Sequence, residues 1–423
     1  MNGDPRNEVT LTPMVKKPNT LALVVVTLYA GGASADAADM FSLSSFGTVG
    51  IVHSSEKKAD FTSSIFKPNG AGHSRNWSAD VDSLIGAQLT ATFTPQLSAV
   101  VQVISEQRYD NSYRPFAEWA NIKYQFTPDF NARIGRTVLP TFLVSDTRKV
   151  GYTLPWVRAP MEVYGLMPIS SSDGIDGSYR FRVDEITNTV HAHYGQTDSR
   201  DSDGTGKALT RNLWGVTNTT ELGVLTTRIT YMKADLTLEP FNSLFDTFRE
   251  FGPEGIAIAD RYDSDDTPVD FIGVGASYDP GDWFVMSEWG RLDSRSGLGR
   301  TSAWYISGGY RIAAFTPYVT YARSRTETEV SSPGLTLSAL PPALAGTAAE
   351  LNGALNSILG SNEGQQTLSL GTRWDFTKNM DAKVQFDHTR FKGNSVGPLI
   401  NPQPDFTSGG SLNVISLAVD FVF

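Results

Sequence analysis

The chain contains no cysteine, which excludes a disulfide framework, thiolate metal sites and cysteine nucleophiles. It has no basic excess: 35 lysines and arginines against 45 aspartates and glutamates leave a formal charge of −10, which argues against a nucleic-acid partner. Histidine is scarce, at five residues, so few positions are open to imidazole chemistry. Beyond one stretch near the N-terminus there is no long apolar run, and a helical membrane protein is excluded. What the sequence does hold is 38 glycines and 11% aromatic residues, a composition suited to strands joined by many turns. With 40% apolar residues it retains one route across a bilayer, alternating strands, because only one face of each must be apolar.

Lys16 and Lys17 precede the apolar run at 21–29 (LALVVVTLY), and Gly31, Gly32, Ala33, Ser34 and Ala35 follow it. A charged segment, a short apolar core and small residues read as a secretory signal peptide over 1–37, with cleavage after Ala35 or Ala37. Met14 reads as the true start, which makes 1–13 an upstream extension. The folded part is then 38–423.

The run 412–423 (LNVISLAVDFVF) places Asn413, Ile415, Leu417, Val419, Phe421 and Phe423 on one face and Ser416, Ala418, Asp420 and Val422 on the other. Segments of about ten residues with the same alternation recur along the chain, the length a tilted strand needs to cross a membrane. Examples are 81–93, 97–108, 115–126 and 130–138. Seven short turns separate them, at Thr94-Pro95-Gln96, Thr127-Pro128-Asp129, 184–188, 219–223, 278–283, 315–317 and 376–380. Eight longer connections alternate with these turns, at 54–80, 109–114, 140–173, 195–211, 237–269, 293–300, 326–364 and 390–411. Phe93, Phe126, Phe130, Tyr278, Trp283, Phe315, Trp374, Phe376 and Phe423 gather beside the short turns as an aromatic girdle. The expectation is an all-β fold, a transmembrane antiparallel up-and-down β-barrel of about 16 strands with short periplasmic turns and long extracellular loops.

The terminal strand ending on Phe423 resembles the closing strand of Gram-negative outer-membrane β-barrels, the general-diffusion porins in particular. The runs GRTVLPTFLVS and VGYTLPWVRAPMEVYG are similar to stretches of little-characterised proteobacterial porins. The resemblance implies an integral outer-membrane channel through which small hydrophilic solutes diffuse passively. It also implies a homotrimer, contact with outer-membrane lipid and lipopolysaccharide, and a Phe423 read by the barrel-assembly machinery. In porins the loop after the fifth strand folds inward and narrows the pore. Residues 140–173 stand in that place and are rich in proline, aromatic and aliphatic side chains that need a surface to cover. By this resemblance Asp146, Arg148, Lys149, Arg158 and Glu162 become candidates for the constriction, opposite Arg133, Arg180, Arg182 and Arg228.

Strand parity adds its own set. If Tyr179, Phe181 and Val183 meet lipid, then Asp176, Arg180 and Arg182 point inward, and the same test turns Lys123, Arg133, Arg228, Arg311, Arg373 and Lys383 into the lumen with Glu288, Asp375, Asp387 and Asp420. A lysine or arginine facing lipid at mid-membrane costs about 2 to 4 kcal/mol, which forces the assignment for mid-strand arginines. Arg136, Arg291 and Arg323 lie too near loops for parity to decide. The inward cations either pair with carboxylates to hold a wet wall in shape or form a basic stripe favouring anionic solutes, small carboxylates included, in a weakly anion-selective pore.

Two loops carry helical periodicity, through Leu340, Leu344, Ala348, Leu351, Leu355 and Leu359 and through Phe241, Leu244, Phe245, Phe248 and Phe251, to cap the mouth, plug the lumen or latch onto a neighbour. Asp201, Asp203 and Gly204 form a short calcium-like match, but without a distal Glu the stretch reads as a solvated acidic loop, so no metal or cofactor is expected. The other functional classes are a sealed structural or adhesive barrel and an outer-membrane lipase. For the lipase only His388 stands near a lipid-facing rim, with no Ser or Asp at a suggestive spacing, so no enzyme is expected.

Overall fold

The computed structural model describes residues 40–200, 206–327, 330–361 and 363–423; the signal segment and the pair Asp201 and Asp203 lie outside the described residues. In chain order the spanning strands begin with β1 (Phe41–Ser54), β2 (Leu84–Thr92), β3 (Leu97–Glu106), β4 (Phe116–Thr127), β5 (Phe130–Val138) and β6 (Ser171–Val183). Next come β7 (Ile186–Arg200), β8 (Lys207–Leu222), β9 (Leu225–Leu238), β10 (Thr267–Tyr278) and β11 (Trp283–Ser294). The last five are β12 (Arg300–Tyr310), β13 (Phe315–Thr326), β14 (Gly364–Asp375), β15 (Met380–Phe391) and β16 (Ser411–Val422). Each pairs antiparallel with its neighbours, and β1 pairs with β16 from Phe46↔Val422 to Ser54↔Val414, which closes the sheet into a 16-stranded barrel. A further short segment, Trp77–Ser78, adds onto the rim of β1.

Alternation decides which way each strand faces. In β16, Leu412, Val414, Ser416, Ala418 and Asp420 are buried, while Ile415, Leu417 and Val419 are exposed on the outside. Both backbone groups of Phe423 meet Ser45, at 2.7 and 2.8 Å, so the last residue contributes to closure. Aromatic pairs ring the short-turn end: Phe126 with Phe130 at 5.1 Å, Tyr278 with Trp283 at 5.3 Å and Phe315 with Trp374 at 5.8 Å.

The short turns use residues that accept positive φ, as Asp184 (54°), Gly223 (57°) and Gly281 (110°) show; tight hairpins of right-twisted strands require such geometry. Three details differ from the expectation. The reversal read at 219–223 falls at Gly223, because β8 runs on to Leu222. The connection read at 195–211 shrinks because β7 and β8 extend past register shifts at Gly195/Thr197 and Arg211/Trp214; these bulges break the period of two that marks a strand. Pro317, read as part of a turn, sits inside β13 beyond the last β12 pair, Gly309↔Tyr318, where its missing N–H breaks no ladder.

Outside the barrel, α1 (Asn242–Arg249) and α2 (Gly252–Tyr262) are separated where Gly252 takes φ 73°, and α3 (Pro342–Gly360) comes from the loop after β13. Phe245, Phe248, Ile258 and Tyr262 pack against Leu335, Leu351, Leu355 and Leu359, so the two helical loops cover each other's apolar faces. Loops 55–83 and 392–410 join separately through a small sheet of Asp60–Phe61, Ala71–Gly72 and Leu399–Ile400.

Candidate pore constriction

After β5 the chain turns back into the barrel. Thr217 Oγ1 on β8 donates to the Pro140 carbonyl at 3.0 Å, and the Leu143 N–H donates to Glu288 Oε2 on β11 at 2.8 Å. Trp156 Nε1 donates to Ser307 Oγ on β12 (2.8 Å) and to Thr320 Oγ1 on β13 (3.1 Å). Farther on, the Val157 N–H donates to Gln385 Oε1 on β15 at 3.0 Å, and the Tyr152 hydroxyl reaches the Lys378 carbonyl, in the turn before β15, at 2.7 Å. Residues 139–170 therefore lie along the inner wall from β8 to β16.

The sequence drives this placement. Leu139, Phe142, Leu154, Trp156, Val163, Tyr164 and Leu166 share one buried cluster with the inward Met232, Phe271, Phe284, Tyr305 and Tyr318. An inward face this apolar would be a poor wall for water, and burying each large side chain stabilises the arrangement by about 1.5 to 3 kcal/mol. Inward Gly275 makes room: a Cβ there would stand 2.9 Å from Leu143 Cγ.

Two ionic nodes fix the loop. Arg158 makes a fork to Asp82 (2.6 and 3.1 Å) and also reaches Asp387 (3.0 Å) and Ser416 Oγ (2.6 Å), with its side chain only 9% exposed. In the second node Lys383, with a side chain 0% exposed, lies 2.8 Å from Asp420 and 3.6 Å from Asp381 and donates to the Gly151 carbonyl at 2.7 Å. Arg373 joins Asp375 at 2.6 Å, Asp381 at 3.2 Å and the Tyr152 carbonyl at 2.5 Å. Glu162 accepts from Gln365 at 2.7 Å and from Thr367. Arg158, Glu162, Arg373 and Lys383 thus hold the loop to the wall.

The remaining candidates divide by height. Asp146 and Val150 border a cavity of about 340 Å³ that reaches Phe423 and Asn379 near the short turns. Arg148, Lys149 and Gly151 border one of about 610 Å³ that opens among the outer loops. Segment 146–151 is therefore a wall shared by two chambers. Lys149 Nζ crosses to Glu106 Oε1 on β3 at 2.5 Å, Arg148 donates to the Met167 and Tyr164 carbonyls, and Asp146 lies 3.7 Å from Arg228. Arg228 also donates to the Phe142 carbonyl. Arg133 forks onto Asp176 at 2.8 and 2.9 Å, beside His191. Lys123 has no ion pair among the described residues.

Arg180 and Arg182 face inward but lie at the short-turn mouth, 3.8 Å from Asp129 and 3.4 Å from Thr187 Oγ1, away from segment 146–151. Arg311 keeps the inward side that parity gave it, 5.7 Å over the inward Phe284 ring, but lies past the end of β12 at Tyr310, in the short-turn rim 2.7 Å from Asp279. That ion pair holds the Asp279 carboxyl below its usual range. Sequence reasoning missed Lys67, which is buried in the first outer loop, donates to the Asp80 and Val81 carbonyls, and lines the larger chamber. Burial pushes its ammonium below the ordinary lysine value. Only its return toward the barrel identifies it, and no local pattern announces that.

A closed 16-stranded barrel with chambers on either side of an infolded loop defines an outer-membrane channel. A family model described as Gram-negative porin matches residues 20–394, and the chain belongs to that family, as an integral outer-membrane protein. Among solved structures it is similar to a loop L8 deletion mutant of OmpT from Vibrio cholerae, at 11% identity over 91% of this chain and 100% of that one, with a TM-score of 0.53. DcaP of Acinetobacter baumannii matches at 11% identity over 93% of this chain and 100% of its own, TM-score 0.52. An anion-selective porin from Comamonas acidovorans matches at 11% identity over 90% of this chain and 100% of its own, TM-score 0.50. At these identities the likeness is one of fold. No curated protein sequence matches the chain.

Proposed function

We propose that the protein is a passive, water-filled channel for small hydrophilic solutes that leans toward anions and has no enzymatic activity. The observation that carries the anion preference is the composition of the larger chamber: setting aside Arg136, which pairs with Asp173 on the outward face, seven lysines and arginines line it against four aspartates and glutamates. Arg148 and Lys149 stand where that chamber meets segment 146–151, so an entering anion meets net positive charge at the narrowing. The fold shared with an anion-selective porin is compatible with this reading. Assembly as a homotrimer and recognition of Phe423 by the assembly machinery belong to the same proposal, as does passage of small carboxylates.

The test is the reversal potential of single channels across a salt gradient, for the native protein and for Arg148→Gln/Lys149→Gln. The native channel is expected to favour the anion, and the double variant to lose most of that preference. Arg180→Gln/Arg182→Gln, at the mouth, is expected to shift it less. Equal selectivity in all three rejects the reading, and a correctly folded barrel that never conducts is a sealed scaffold instead.

A further inference from the structure

The smaller chamber differs in chemistry from the larger one. Among the described residues no lysine or arginine lines it, and its only charged side chain is that of Asp146. Its wall on β1 to β4 is instead a row of neutral polar and aromatic side chains held in register: Ser44 is opposite Gln88, Gln88 opposite Gln102, and Gln102 opposite Trp119. All four line the chamber, and strand spacing makes the row about 14 Å long. At its end β4 carries one extra residue, Glu118, where the pairing shifts from Gln102↔Trp119 to Val103↔Ala117. Such a bulge re-aims side chains, and here Glu118 lines the larger chamber while Trp119 lines the smaller.

The hydrogen bonding of this row is incomplete. Gln102 Nε2 donates to Gln88 Oε1 at 3.0 Å, and Gln88 Nε2 reaches Thr90 Oγ1 only at 3.5 Å. Gln102 is 3% exposed, yet among the described residues its Oε1 has no donor, and one strand away the Trp119 Nε1–H has no acceptor. Buried polar atoms are nearly always paired, so an unmet acceptor beside an unmet donor calls for a partner. A hydroxyl serves both, since it accepts from the indole N–H and donates to Oε1. A carboxylate does not, because it has no proton to give to Oε1.

We propose that the smaller chamber is a binding seat for a neutral polyhydroxylated solute, a sugar of about hexose size. One hydroxyl bridges Gln102 Oε1 and Trp119 Nε1, and the C–H side of the ring lies on the indole face. Asp146, with a side chain 58% exposed, accepts from further hydroxyls on the loop side. Gln102 Oε1 and Trp119 Nε1 are shielded from solvent, and a partial rotation of the carboxamide about its last torsion, which is broad and two-fold, turns Oε1 to the chamber. The volume of about 340 Å³ falls within the range of small-molecule sites, about 300 to 1,000 Å³. The larger chamber thus sorts solutes by charge and the smaller one by hydroxyl content, on opposite sides of segment 146–151.

The experiment is a saturation-transfer NMR titration of the full-length protein, in a detergent without a sugar headgroup, with glucose and with glucose methylated on every hydroxyl. It reads binding without current, so its outcome is separate from whether the pore conducts or prefers anions. The native protein is expected to bind glucose saturably and at least about tenfold more tightly than the methylated sugar. Gln102→Leu should lose that difference while keeping the heat-modifiable migration of a folded barrel. Trp119→Phe, which keeps a ring and removes the N–H, should lose part of it, and Glu350→Gln, on the exposed side of α3, should keep all of it. Should Gln102→Leu fail to fold, Trp119→Phe carries the test. No saturable glucose binding overturns the proposal and leaves the gap between Gln102 and Trp119 to water. Equal binding of the two sugars overturns it as well, as does native-like binding by the Gln102 and Trp119 variants.

Discussion

Arg158→Met channels are expected to conduct in larger, noisier steps than native ones and to unfold at lower denaturant. Arg158 is the only cation in its node: Asp82 and Asp387, with side chains 5% and 9% exposed, both depend on it among the described residues. Methionine preserves much of the volume and removes the charge, leaving two buried carboxylates without a cation, Asp387 with only the Gln385 amide as a donor. Removing one member of a buried ion pair costs about 3 to 5 kcal/mol. The least costly relief is for the stretch around Val157 to leave the wall and admit water, which frees residues 139–170 to move in the lumen. Current steps in planar bilayers and the urea midpoint measure the two effects. Arg158→Met/Asp387→Asn should recover part of the lost stability, since one of the stranded charges is gone. Native conductance in Arg158→Met would show that apolar packing alone holds the loop.

The strands were legible in the sequence because each carries its own instruction. In β16 the exposed Ile415, Leu417 and Val419 alternate with the buried Val414, Ser416 and Ala418, and lipid outside with water inside demands that period. Strand ends were less legible where bulges interrupt the alternation, as around Arg211 to Trp214. The helical loops were legible in period, and Leu351, Leu355 and Leu359 are buried as the spacing of α3 requires. Their partner in the other loop was not, because a period identifies a face without saying what covers it.

The constriction was legible only in part, for a different physical reason. Parity reports which way a side chain points and is silent about what meets it. Arg373 and Lys383 do point inward, yet they end beneath a loop folded from elsewhere in the chain. Apolar inward residues carried the missing signal: Met232, Phe271 and Tyr305 have no reason to line water and mark the seat of residues 139–170. Arg136, Arg291 and Arg323 show the complementary limit, since at a rim both faces tolerate charge and parity loses its energetic penalty.

Lys383→Met is expected to destabilise the barrel as strongly as any single substitution in the wall, and Asp420→Asn in the same chain to restore much of the loss. Lys383, Asp381 and Asp420 have side chains 0%, 0% and 1% exposed, so no water screens them. With the ammonium present, the node holds two cations, Arg373 and Lys383, against Asp375, Asp381 and Asp420, and Thr48 donates to Asp420. Without it, Asp420 keeps only the hydroxyl, the Gly151 carbonyl loses its donor, and the cost is again about 3 to 5 kcal/mol. Asparagine at 420 keeps a side chain able to accept from Thr48 and removes the charge that Lys383 had neutralised. A double-mutant cycle on the unfolding midpoint separates the two accounts of this node. A coupling of 0.5 to 3 kcal/mol, on the order found for contacting charges, would mean that Lys383 acts through Asp420. Additive losses would mean that it acts through Gly151 alone, as a tether for the loop. Conductance decides what the tether does: if Lys383→Met/Asp420→Asn regains stability but still passes larger currents, the wall charge serves the carboxylates and the Gly151 bond positions the narrowing.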